Sequence, residues 1–188
     1  MKILITGGTG FVGTQLTSRL IQDGHGVTIL TRSLKGAKGS SPGMFYLEGD
    51  PTRKGPWQEA IKNHDAVINL AGASIFSKWT EEHKKAIRES RVNTTQNIVE
   101  GIPSQSQKQF TLFSTSAVGY YGFHGDEDLI ENSAPGTDFL ARIAVEWEGE
   151  ALKARDKGAR VVITRFGIVM GEKGGALSQM IPLFKKYI

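Results

Sequence analysis

Six short runs of apolar and β-branched residues punctuate the chain: Lys2–Thr6, Val27–Thr31, Met44–Glu48, Ala66–Leu70, Phe110–Ser114 and Val161–Arg165. Such runs lack the strict alternation of a half-exposed sheet and read as strands buried on both faces. Between them the apolar positions fall at helical spacing. Phe11–Asp23 reads as a helix stopped by Gly24, and Pro56 opens a short helix through Ile61. Thr80–Glu100 reads as a long polar helix, capped by Thr80 and begun by Glu81 and Glu82 at the positive end of its dipole. Asp138–Lys157 reads as another, closed by Gly158. Strands alternating with helices predict right-handed crossovers and an α/β fold, a doubly wound parallel sheet in the order 3-2-1-4-5-6. Ser33–Gly43 and Gly122–Thr137 are expected as loops over one edge of the sheet.

Composition narrows the function classes. The 188 residues suit one α/β domain, and 39% apolar with 22% charged residues is ordinary for a globular chain with a real core. The net charge of +4 is scattered along the chain, so nucleic acid is not expected as a partner. No cysteine is present, which excludes disulfides and thiolate zinc sites, and the four histidines have no ligand spacing, so no metal is expected. No apolar stretch has the length of a membrane span, and a strand leading into a glycine turn is not the layout of a signal peptide. The expectation is a cytoplasmic protein with no membrane contact, acting on a small molecule.

The stretch TGGTGFVG, directly behind the first strand, carries the strongest signal. Gly7, Gly10 and Gly13 are three residues apart, with Thr9, Phe11 and Val12 between them. A strand, a glycine turn and a helix N-terminus aim unpaired backbone N–H groups and a favourable dipole at a pyrophosphate. This is the dinucleotide turn of a Rossmann-type sheet; no Gly-Lys-Ser/Thr follows, so it is not a nucleoside-triphosphate loop. The second strand ends Thr31-Arg32-Ser33 where an acid would meet a free ribose 2′-hydroxyl. A guanidinium with two hydroxyls suits a 2′-phosphate, so NADP is the expected cofactor.

TGGTGFVG, LEGDPT (47–52), INLAG (68–72), RVNTTQNIVE and LFSTSAVGYYG resemble the successive motifs of the extended short-chain dehydrogenase/reductases. More narrowly, NLAGASI, KWTEEHKKAIRESRVNTTQ, DFLARIAVEWE and RFGIVMGEKGGAL resemble the epimerase-family branch associated with sugar-nucleotide epimerases and cell-division inhibitors. The resemblance spans nearly the whole chain. It implies that Asp50 lies beside the adenine, that Leu70, Ala71 and Gly72 run under the cofactor, that Asn93 is the structural asparagine, and that Ser116 is the active-site hydroxyl. It also implies that residues 1–188 are an NADP-binding domain with a substrate region starting at about residue 172 and cut short. Leu177, Met180, Ile181, Leu183 and Phe184 are then expected to expose apolar surface, and the resemblance alternatively implies that the long polar helix Thr80–Glu100 serves a homodimer.

The superfamily's chemistry uses a tyrosine as acid/base, and a phenol of pKa near ~10 needs a nearby cation to serve at neutral pH. The resemblance places that tyrosine and a lysine four residues later on the helix after Pro135, where this chain has Phe139 and Ile143. Neither carries a transferable proton. Arg142 is one position off, turned by about 100° on an ideal helix. Tyr120 and Tyr121 are the remaining candidate acids. Two readings stay open: an NADP(H)-dependent oxidoreductase or epimerase, acting on a small carbonyl or sugar-nucleotide substrate with a non-standard acid/base, and a non-catalytic NADP(H)-binding regulatory module.

Overall fold

A computed structural model describes residues 1–36, 42–104, 109–171 and 174–186. Six parallel strands form one sheet in the order β3-β2-β1-β4-β5-β6, the predicted doubly wound arrangement. The strands are β1 (Lys2–Thr6), β2 (Gly26–Thr31), β3 (Met44–Glu48), β4 (Ala66–Asn69), β5 (Thr111–Ala117) and β6 (Arg160–Phe166). Helix α1 (Phe11–Gln22) follows β1, α2 (Glu81–Gly101) follows β4 and α3 (Phe139–Leu152) follows β5. A two-residue strand, β7 (Met170–Gly171), and helix α4 (Gly175–Phe184) complete the described chain.

Alternation along β1 divides the core. Leu4 joins Trp57, Ile61, Val67, Ile98 and Leu112 on one face, and Ile3 and Ile5 join Val27 and Ile29 on the other. The caps form as their residues predict. The Thr80 hydroxyl accepts from the His83 N–H at 3.2 Å, and the Asp138 carboxylate accepts from the Leu140 and Ala141 N–H groups at 2.9 and 3.1 Å.

The structure departs from the sequence expectation at element ends. The segment opened by Pro56 is a 3₁₀ helix over Pro56–Asn63. Lys153–Lys157 tightens into a 3₁₀ turn before Gly158, and Leu34–Gly36 forms another in the loop after β2. Residues 37–41 of that loop lie outside the described residues. Strand β5 runs three residues past its expected end at Ser114, because β6 supplies partners as far as Ala117↔Phe166. Met180, Ile181, Leu183 and Phe184 of α4 are exposed, whereas Leu177 is half-buried. Among the described residues no helix is long and apolar enough to cross a membrane.

Candidate functional site

Two clefts meet at the glycine turn, along the carboxyl ends of the strands, where open parallel sheets bind ligands. The first, about 630 Å³, is polar; its lining includes Gly7, Thr9, Gly10, Thr31, Arg32, Ser33, Asp50, Leu70, Ala71, Gly72 and Thr94. The glycines are sterically required. Gly7 has φ +69°, and a Cβ there would stand 2.7 Å from the Leu70 carbonyl carbon; a Cβ on Gly13 would stand 2.3 Å from the Gly7 oxygen. The turn and the end of β4 therefore pack backbone to backbone, leaving the start of α1 open. Arg32 is exposed at the end of β2, with no ion pair among the described residues. The Asp50 carboxylate is already occupied by the Thr52 N–H at 3.0 Å and hydroxyl at 2.7 Å. The Thr94 hydroxyl is buried without a hydrogen-bond partner among the described residues. An open, glycine-lined cradle, an orphaned hydroxyl and a free guanidinium fit a phosphate-bearing dinucleotide.

The second cleft, about 450 Å³, begins at Phe11 and Val12 and continues past Ala117 and Phe166 to Ile143, Ala144 and Trp147 of α3. Its lining is apolar except for Arg91 of α2. This guanidinium donates to the main-chain carbonyls of Ile87 at 3.0 Å and Ala73 at 3.2 Å, and lies 5.5 Å from the Trp147 ring centroid. No carboxylate pairs with it among the described residues, and desolvation lowers its pKa from the ordinary arginine value.

The polar groups predicted near the reaction centre gather elsewhere. The register pairs Ser116 with Arg165, so both side chains leave the sheet on one face, toward Glu148 of α3. The buried Ser116 hydroxyl donates to Glu148 Oε1 at 2.5 Å. Arg165 holds both carboxylate oxygens at 2.8 Å and also donates to the Tyr121 hydroxyl at 2.8 Å and the Glu131 carbonyl at 2.9 Å. Its guanidinium stacks 3.5 Å from the Tyr120 ring centroid. The hydrogen bonds that Arg165 donates to Glu148, more than any other contact, raise its pKa and hold its charge. Ser116, Tyr120 and Tyr121 are thus brought together, but none lines the apolar cleft; the neighbouring Ala117, Val118 and Gly119 do.

Of the predicted cofactor positions, Phe11 and Val12 line the apolar cleft and Gly13 is buried under the turn. Asn93 is half-buried on α2 and lines neither cleft. Phe139 packs against Trp79, with ring centroids 5.4 Å apart, and Ile143 is buried in the apolar wall. The exposed Arg142 donates to the Thr137 carbonyl. Sequence reasoning missed Arg91, Thr94, Glu148 and Arg165. The last two stand at the edges of the quoted DFLARIAVEWE and RFGIVMGEKGGAL stretches, but only the strand register brings them onto Ser116; Arg91 sits in the quoted RESRVNTTQ stretch, undistinguished from its charged neighbours.

Comparison with known proteins places the chain in a family. The chain is 40% identical over 190 residues to the chloroplastic epimerase family protein SDR39U1 homolog of Arabidopsis thaliana, covering 100% of this chain and 54% of that protein. It is 40% identical over 183 residues to the epimerase family protein YfhF of Bacillus subtilis, covering 97% of this chain and 59% of that one. The chain thus spans a little over half the length of these curated relatives. Among solved structures, human epimerase family protein SDR39U1 with NADPH matches at TM-score 0.78 and 30% identity, over 99% of this chain and 60% of that one. A nucleoside-diphosphate sugar epimerase from Corynebacterium glutamicum matches at 0.79 and 36%, over 98% of this chain and 38% of that one. Residues 3–187 match the family described as NAD dependent epimerase/dehydratase, and the chain belongs to that family.

Proposed function

We propose that this protein binds NADP(H) across the two clefts and acts as an epimerase-family oxidoreductase on a small carbonyl or sugar-nucleotide substrate, with a non-standard acid/base. The observation that carries the cofactor reading is Arg32, exposed on the rim of the polar cleft with no ion pair among the described residues, and with Thr31 and Ser33 beside it. No carboxylate ends β2 to meet a 2′-hydroxyl. The NADPH in the human relative's structure supports the same choice. The glycine turn would receive the diphosphate, and the apolar cleft beyond Phe11 and Val12 the nicotinamide end, whose chemistry when bound is to give or take a hydride. Ser116 and Tyr121 contribute here as positioning residues, acting through Glu148 and Arg165 on the end of β5 and the loop behind it.

Arg32→Ala tests the cofactor assignment. NADP(H) affinity should fall roughly 10- to 150-fold, as expected for a charge-assisted contact of about 1.5–3 kcal/mol, while NAD(H) affinity stays nearly unchanged. Equal losses for both cofactors would overturn it. A second reading, a cofactor-binding regulatory module, is favoured by one observation: no side chain with a transferable proton lines the apolar cleft. Tight NADPH binding, with no oxidation by any carbonyl or sugar-nucleotide substrate offered, would select that reading.

A further inference from the structure

The apolar cleft differs chemically from a sugar site. A pyranose ring presents a hydroxyl on nearly every carbon, and each one buried without a partner costs free energy comparable to a lost hydrogen bond. The cleft meets its contents with Ile143, Trp147, Phe166 and Ile168 among others, and with one charged group, Arg91. A guanidinium has five N–H donors, and the two hydrogen bonds recorded for Arg91, to neutral carbonyls, do not neutralise its charge. The guanidinium carbon lies 5.5 Å from the Trp147 ring centroid, within cation–π range, and its two hydrogen bonds fix where it sits.

A half-buried cation without a counter-charge, at one end of an apolar pocket, is matched by an anion that brings its own apolar body. We propose, resting on the NADP(H) reading above, that the cleft takes a predominantly apolar carboxylate of aromatic or alicyclic size, its carboxylate received by Arg91, rather than a sugar. The volume of about 450 Å³ suits a small ring compound beside the nicotinamide. Arg91 also lies against Gly72 and Ala73, which line the cofactor cleft. An oxyanion at this guanidinium therefore has two possible sources, the substrate and the cofactor's diphosphate, and the experiment separates them.

The probes are 2-naphthoate, its neutral counterpart 2-naphthylmethanol, and UDP-glucose, titrated into the protein with saturating NADP⁺. NADPH affinity is measured separately by fluorescence. Naphthoate should bind more tightly than either other probe. Arg91→Met, which keeps the stacking volume, should weaken naphthoate about 10- to 100-fold, with naphthylmethanol and NADPH changing less than about twofold. Ile168→Glu, on the exposed rim of the cleft, should weaken naphthoate selectively by like-charge repulsion, and it supplies the test if Arg91→Met does not fold. Preference for UDP-glucose, absence of naphthoate binding, or equal loss of naphthoate and naphthylmethanol in Arg91→Met would overturn the proposal. Loss of NADPH affinity in that variant would overturn it too, by assigning the guanidinium to the cofactor. Failure of the wild-type protein to bind NADP(H) at all would instead overturn the cofactor reading beneath it.

Discussion

The two flanks of α3 carry opposite chemistry although they are one residue apart. Ile143, Ala144 and Trp147 form the wall of an apolar cleft, whereas Glu148 anchors a buried network of Ser116, Arg165 and Tyr121. One step along a helix turns a side chain by about 100°, and one step along a strand turns it to the other face of the sheet. Ser116 and Ala117 repeat the contrast on β5: the serine faces Glu148 and the alanine lines the cleft. Proximity in sequence to a cofactor motif therefore does not decide whether a side chain lines the cleft. The phase of the strand and of the helix decides it.

The comparison is broken most severely at Glu148. Its pairing with Arg165 is largely shielded, with side chains 9% and 16% exposed, so Glu148→Ala strands a guanidinium against Tyr120 and Tyr121. Urea unfolding should show a loss of about 3–5 kcal/mol. An unchanged midpoint would mean that the network does not bear on the fold. Ser116→Ala removes one charge-assisted hydrogen bond and leaves Arg165 in place, so a smaller loss of about 1–3 kcal/mol is expected, with NADPH affinity within about twofold. If a substrate is found, a fall in turnover on the order of 10² or more without loss of stability would place the serine among the reacting groups instead.

Asp138 caps the helix that bears both flanks. Its carboxylate takes two N–H groups of the first turn, and Asp138→Ala should cost about 1 kcal/mol in the same measurement. The smallest effect belongs to the loop behind the network. His124 faces Glu127 at 2.7 Å and the Tyr121 carbonyl at 2.7 Å; the Glu127 hydrogen bond is the main cause that raises the imidazole pKa, and the same bond lowers that of Glu127. The raised imidazole contributes below its ordinary value and is lost as pH rises through the folded one. The depressed carboxylate contributes above its ordinary value and is lost on acidification. Both are present between about pH 4.3 and about 6.5. In Glu127→Gln the His124 titration, followed by NMR, should move back toward ordinary histidine; no movement would show that the pair does not form in solution.

Much of the fold was legible because local signals agreed with the global one. The six apolar runs became the six strands, and Thr80 became the cap of the long helix. The polar cleft was legible for the same reason: a strand, a glycine turn and a helix leave little freedom in where backbone N–H groups point. Of the two apolar residues at positions 139 and 143, Ile143 is buried in the cleft wall, whereas Phe139 is only half-buried, packed on the exposed Trp79. Arg91 was not legible, because on a helix rich in charge nothing local separates a solvated arginine from one folded over a tryptophan.

The sequence by itself determined the strand segments, the glycine cradle and the place of Arg32 at its rim, because each depends on residues within one strand-turn-helix unit. Tertiary structure alone decided where the hydroxyls and phenols went. Ser116, Glu148 and Arg165 are separated by 17 or more positions, and only the β5–β6 register and the rotation of α3 bring them into one buried network. Pairing at such range is set by which faces the packed sheet and helix bury together, and no local pattern along the chain records that choice.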